Sequence, residues 1–466
     1  MSFKLPKLNR ALFEASDKVT PLFSAPQGLS VEVITKISQD QSEPDWMLQK
    51  RLQAFELLQK TPVPTWGPNI DKLNLDEIIF YVKHDAESAT SWEDVPQEIR
   101  DTFDRLGIPE AEKTALAGVG AQYDSAVVYH NIKEDLKKKG VIFEDMGVAV
   151  QKYPELVKEY FMTKCISIKD HYFIMLHAAV WSGGTFIYIP KGVKVDLPLQ
   201  AYFRMNALQG GQFEHTLIIA DEDSSLEYIE GCSAPRFTKS SLHAGCVEIY
   251  VKDNAKVRYL SIENWSKNTF NLNTKRAIVS KKGTIEWVSG NMGSGTTMLY
   301  PCSILQGDYS QSYNLGIAFA GEGQHQDIGA KSIHIGKHTS SVIQSKSISA
   351  DNGNATYRGL VKILKKAEHA TVSVDCDALL LDDQAQTDAL PYIQDQTGTS
   401  FVSHEARVGS IDERKIHYLR TRGIKEADAM RLVVSGYIAP VIKKLPMEYA
   451  IELQRLIEIE IEESIG

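Results

Sequence analysis

The residues in this chain most able to do covalent or metal chemistry are its five cysteines, Cys165, Cys232, Cys246, Cys302 and Cys376. Their number is odd and no C-x-x-C pair occurs, which argues against a disulfide framework and against a self-contained zinc or iron–sulfur motif. Any cysteine chemistry must therefore use groups that the fold or a partner brings together. Cys376 is flanked by Asp375 and Asp377, and it continues an alternation with Val372 and Val374 that by itself reads as burial. His404 and Glu405 follow in Phe401-Val-Ser-His-Glu-Ala-Arg, with Glu405 29 residues after Cys376. Thiolate, imidazole and carboxylate together can ligate iron. Cys232 sits in Tyr228-Ile-Glu-Gly-Cys-Ser-Ala-Pro, which reads as a turn at a strand end, where a thiol is accessible. Cys246 and Cys302 adjoin apolar residues and read as small buried hydrophobes; Cys165 is ambiguous.

A second set of polar residues falls where a strand pattern would place them beside a core. Arg204 and Asn206 share one strand face, Glu263 and Trp265 share another, and Lys275 follows. Burying such groups without partners is costly, so residue type alone favours solvent-facing positions. Turned inward, they would need a satisfied network or would line a polar path. No Ser-His-Asp arrangement stands out. The glycines of Gly290-Asn-Met-Gly-Ser-Gly lack the lysine of a Walker motif and read as turn glycines.

The elements that must position these groups are strands. From about His171 to Ile411 the chain reads as one strand after another, with hardly a credible helix. Val247, Ile249 and Val251 alternate with polar partners, as do Val257, Tyr259 and Ser261. Polar turns begin at residues 220, 252, 281, 306, 336 and 365. A recurrence of this length marks a stacked solenoid or propeller, and no WD or kelch signature accompanies it. A β-helix of irregular coils is the preferred architecture, with a large β-sandwich or barrel as the alternative. In such a stack, one coil of separation brings Cys376 near Glu405.

The flanks differ. Residues 1–165 read as a mostly helical domain, with an amphipathic helix from Asp45 and a short helix ending at Gly107. Residues 166–411 form the β core. Residues 412–466 read as helical, with one helix from Ile424 to about Gly436 and a last one from Met447 to Ile465. The helical ends would cover the open ends of the solenoid. Net charge is −9, so neither nucleic acid nor an anionic membrane is the expected partner. No apolar run approaches membrane-spanning length and the N-terminus has no signal-peptide core, which makes a cytoplasmic address the expectation.

The segments Gly184-Thr-Phe-Ile-Tyr-Ile-Pro-Lys-Gly-Val, Tyr228-Ile-Glu-Gly-Cys-Ser-Ala-Pro, Tyr357-Arg-Gly-Leu-Val-Lys-Ile, Asp375-Cys-Asp-Ala-Leu-Leu and Ser403-His-Glu-Ala together resemble the SufB family. That family supplies the scaffold subunit of the SUF iron–sulfur cluster assembly system. The resemblance implies a right-handed parallel β-helix core between helical domains. It also implies a complex with a SufC-type ATPase docked on the C-terminal helices, and with SufD or a second SufB-like subunit. Sulfur would come from a cysteine desulfurase or its sulfur carrier; the cargo would be a transient iron–sulfur cluster, with flavin as a further cofactor of the complex. Carried over position by position, Cys232 matches the sulfur-accepting cysteine. Arg204, Asn206, Glu263, Trp265 and Lys275 match an interior polar path. Cys376, Glu405 and His404 match the cluster-binding positions at a subunit interface. Glu263 departs from the glutamine of well-studied bacterial members, which unbalances the charge of the path unless Arg204 or Lys275 neutralises it. Val402-Ser-His-Glu405 stands where SufD-type chains carry Cys-Ser-His-Gly. A SufD-like structural partner without its own cluster is the other reading, and a β-helix carbohydrate-active enzyme a third; the latter lacks the clustered carboxylates it needs.

Overall fold

A computed structural model of the chain describes residue 16 and residues 19–84, 89–105, 116–443, 450, 453–454 and 456–461. Its centre is a parallel β-solenoid of about eight turns, built from two facing sheets. One sheet stacks Leu199–Arg204, Ser225–Ser233, Lys256–Trp265, Thr284–Gly293, Gln311–Ala320, Ser340–Ser349, Thr371–Leu380 and Phe401–Ser410 in chain order. The other stacks the strands that alternate with these, from Gly184–Ile189 to Gln386–Asp395. Ser225 pairs with Lys256, Lys256 with Thr284 and Thr284 with Gln311, so one coil is about 30 residues, as the turn recurrence predicts. Each coil turns at a left-handed residue: Asp223, Asn254, Lys282, Tyr309, His338 and His369 have φ between 54° and 61°. Stacked turns of equal hand keep successive coils in register.

The inner faces form an apolar core in the early coils. Tyr228, Ile249, Val257, Tyr259, Val279 and Trp287 meet there. The outer face of the second sheet is also buried, against an N-terminal layer of helices that includes Val31–Asp40, Asp45–Lys60 and Tyr172–Val180. The last of these lies inside the stretch expected to be β alone. It is buried on all sides, so it has no amphipathic period to betray it. The first coil is closed by a hairpin, Gly118–Tyr123 with Ala126–Ile132, and by Ile142–Asp145, which pairs antiparallel with Gly184–Ile189. The N-terminal part thus contributes strands as well as helices.

At the far end, Glu413–Thr421 and Glu426–Ile442 are helices. The second runs past Gly436 and through Pro440, beyond the expected stop. The proline removes one helical hydrogen bond, but Val434 and Ile438 anchor the helix on the solenoid flank. Leu453, Leu456, Ile457 and Ile461 pack on the same flank. Gly290 lies within a strand, not a turn, and a Cβ there would stand 2.7 Å from Leu453 Cδ1. Gly293, with φ of 81°, does make the expected turn. Gly107 and much of the Met447–Ile465 segment fall outside the described residues.

Candidate functional site

The inner side of the early coils changes from apolar to charged where the first sheet bends into the second. On Ser225–Ser233 the inward residues run Tyr228, Glu230, Cys232; on Lys256–Trp265 they run Tyr259, Ser261, Glu263, Trp265. Register sets Cys232 beside Glu263, and Glu263 beside Asn291. Strand Thr269–Val279 approaches from the facing sheet and sends Asn271, Asn273 and Lys275 inward. Lys275 Nζ lies 2.7 Å from Glu263 Oε1 and 3.4 Å from Glu230 Oε1. Asn271 donates its amide to Glu263 and accepts from His243 Nδ1 at 2.8 Å. His243 Nε2 meets Glu214 Oε1 at 2.5 Å, and its ring packs at a tilt of 38° against Trp265 with centroids 4.2 Å apart. All of these groups are buried.

The electrostatics follow from that geometry. Burial pushes Glu263 up, but Lys275 and then His243 outweigh it and hold the carboxyl below its ordinary value. Glu230, the more distant partner of the same lysine, is pushed up by burial. Burial lowers His243, yet the Glu214 carboxylate raises it above its ordinary value, and both ring nitrogens donate. Lys275 is thus the cation that balances Glu263, while the guanidinium of Arg204 bonds Ser233 Oγ at 3.1 Å. A buried charge left unpaired costs several kcal/mol, so these residues form a mutually dependent set.

Three expectations change. The expected path residues are buried rather than solvent-facing. Cys232, expected to be accessible, is fully enclosed, and burial together with Glu230, Glu263 and Glu214 pushes its thiol well above the ordinary range. Its strand end bends into the interior instead of out to solvent. Arg204 lies between Phe203 and Met205, which face the inner core, so it points to the other side, toward the hairpin; the Asn206 backbone N–H donates to Asp124 Oδ1. The structure therefore gathers Cys232, Glu263, Trp265 and Lys275, and sets Arg204 and Asn206 apart from them. Glu214, Glu230, His243, Asn271 and Asn291 join the site without having been singled out in the sequence. Their inward phase on the same alternation was the available signal. The indole N–H of Trp265 and both amide atoms of Asn291 have no hydrogen-bond partner among the described residues.

The second group lies at the open end. Cys376 is inward, packed with Val374 and Tyr357, and burial is the main reason its thiol is pushed up to about 12. The register there pairs Asp375 with Glu405 and Cys376 with Ala406. One coil is 30 residues at this point, not 29, and a shift of one residue turns a side chain to the opposite face. Glu405 consequently points outward, 3.5 Å from Arg407, which also binds Asp375 and Asp377 at 3.0 Å each. His404 pairs with Val374 and shares the Cys376 face, exposed because no further coil covers it. Within one chain, Cys376 and Glu405 are on neighbouring strands but do not converge.

The SufBD core domain of the SUF iron–sulfur cluster assembly system matches residues 203–437, and the SufBD N-terminal region matches residues 32–201. The chain is 48% identical to the iron–sulfur cluster assembly protein SufB of Bacillus subtilis across the full length of both. It shares the same identity, again over both full lengths, with SufBD family iron–sulfur cluster assembly proteins of Staphylococcus haemolyticus and Staphylococcus aureus. No helix among the described residues is long and apolar enough to cross a membrane.

Proposed function

The chain belongs to the SufBD family of iron–sulfur cluster assembly proteins, and from that premise we propose that it is a non-enzymatic scaffold of the SufB type. It takes sulfur onto Cys232, builds a cluster with iron, and passes the cluster to apo-proteins in the cytoplasm. The observation that carries this reading is the buried charged network beside Cys232, because a solenoid core needs no Lys275, Glu263, Glu230 or His243 for stability. In the acceptor step the Cys232 thiolate attacks the terminal sulfur of a donor persulfide and the donor leaves as a thiolate. The closed interior keeps that thiol protonated, so loading requires the coils to open or a base to take the proton. The family's ATPase subunit is the agent we assign to that opening.

Its docking surface is an apolar groove between the two C-terminal helices, lined by Arg414, Lys415, Tyr418, Leu419, Leu432 and Val433. The apolar side chains of the last segment, Leu453, Leu456, Ile457 and Ile461, pack against the solenoid. The β-helix partner, SufD or a second copy, pairs with the open final coil, where Tyr392, Phe401 and Val408 are 57%, 69% and 59% exposed. Cys376, Glu405 and His404 complete a cluster site there once the partner reorganises the end strands. The domain division at residues 165 and 411 follows this plan: N-terminal layer, assembly core, docking helices.

The test is anaerobic reconstitution of the complex with iron and sulfide, followed by absorption spectroscopy, alongside sulfur loading from a desulfurase. Cys232→Ser should stop loading and Cys302→Ser should not; equal labelling of the two variants would sink the assignment.

A further inference from the structure

A second constellation lies on the outer face of the second sheet, where the N-terminal layer covers it. His177 from the buried helix Tyr172–Val180, His215 from His215–Ala220 and Cys246 from Cys246–Val251 converge there, each fully buried. His215 and Cys246 are register partners on adjacent strands. One nitrogen from each histidine and Cys246 Sγ lie within 4.8 Å of one another, and His177 Nε2 is 3.1 Å from His215 Nδ1. Ligands held about 2.0–2.3 Å from a tetrahedral ion stand roughly 3.3–3.7 Å apart, so small side-chain rotations suffice.

Each outer nitrogen has an acceptor within reach, the position that metal-bound histidines use. His177 Nδ1 is 2.8 Å from the Ala244 carbonyl oxygen, which only accepts, so that nitrogen carries the hydrogen and Nε2 presents a lone pair inward. His215 Nε2 lies 3.2 Å from Glu248 Oε2. The two Glu248 oxygens already accept backbone N–H groups, from Met162 at 2.6 Å and Ile166 at 3.0 Å. The His215–Glu248 contact is not aligned as a hydrogen bond; a small rotation of the His215 ring would set Nε2–H on Glu248 and turn the Nδ1 lone pair inward. Without a metal, His177 Nε2 and His215 Nδ1 share one hydrogen bond; a cation among them would displace that hydrogen and take both nitrogens and the Cys246 sulfur. A histidine ligand whose other nitrogen donates to a carbonyl or carboxylate is the common outer-shell pattern of metal sites. The competing arrangement is a proton on Glu248, handed inward through the imidazoles with no metal.

We propose that His177, His215 and Cys246 bind a divalent first-row transition ion, zinc or one of similar softness, with Glu248 as the positioning residue for His215. The ion ties the buried helix to the two strands. This site is separate from Cys232 and Cys376, and it stands or falls apart from the assembly role.

The probe is cobalt(II). The full chain is produced in cobalt-supplemented medium, so that a buried site fills during folding, and in a Cys232→Ser/Cys376→Ser background that removes the assembly thiols. The folded chain should retain one cobalt after chelator washing and show tetrahedral bands with a thiolate-to-cobalt charge transfer. Cys246→Ser should lose the charge transfer, and Glu248→Gln should weaken retention by about 10–100-fold while leaving the ligands in place. A folded parent chain without cobalt or charge transfer overturns the proposal, whatever the variants do. Charge transfer of parental strength in Cys246→Ala also overturns it.

Discussion

The two cysteine regions of this solenoid obey the same alternation and end in opposite circumstances. Around Cys232, coils stack on both sides, so the inward charges pair inside the chain, and Lys275 bridges Glu263 and Glu230. Around Cys376 the stack stops. Its inward neighbours are apolar, its acidic neighbours face out to Arg407, and the final strands lie open. The early region is closed within one chain, and the late one ends in uncovered strands. A linear repeat protein separates these roles by position alone, because each coil is finished only by its neighbours.

The sharpest way to break that comparison is Lys275→Met. It leaves Glu263 and Glu230 buried without their cation, and should cost about 3–5 kcal/mol in denaturant unfolding. Adding Glu263→Gln should recover part of the loss. If Lys275→Met is neutral, the network is not a closed set.

Thiol reactivity tests the late region. With its pKa raised to about 12, native Cys376 at pH 8 has about 10³-fold less thiolate than an unfolded cysteine. The sign follows: raising the pKa keeps the thiol protonated, so alkylation should climb about tenfold per pH unit and reach no plateau by pH 10. The folded-state advantage from this group is complete below the unfolded pKa and is lost as pH rises through about 12. Mass spectrometry of alkylation against pH measures it; a plateau near pH 8.5 would mean that Cys376 is free in solution.

A change at the open end should affect association and not folding. Tyr392→Ala should weaken pairing with the β-helix partner by roughly 2 kcal/mol if it anchors the interface. Analytical ultracentrifugation gives the dissociation constant, and an unchanged value places the interface elsewhere. Glu405→Ala should have the smallest effect on the isolated chain. Arg407 keeps Asp375 and Asp377, so the denaturation midpoint should not move measurably, whereas cluster loading in the assembled complex should fall.

The sequence by itself determined the solenoid and the family. Period-two alternation and turns recurring every coil are local signals; Glu263 and Lys275 stood out as charged residues where a strand pattern meets the core, and Cys232 as a cysteine at an apparent strand-end turn. Three things were decided only by tertiary packing. The helix Tyr172–Val180, buried on every side, carries no periodic stripe, so its existence depended on the layer that covers it. The environment of Cys232 depended on the coils above and below it, which enclose a strand end that looks open in sequence. Cys376 and Glu405 were separated by one residue of register, 30 against 29. Spacing along a chain is a count, but the face a side chain takes depends on whether that count is odd or even relative to the paired strand, and only the hydrogen-bonded ladder sets that phase.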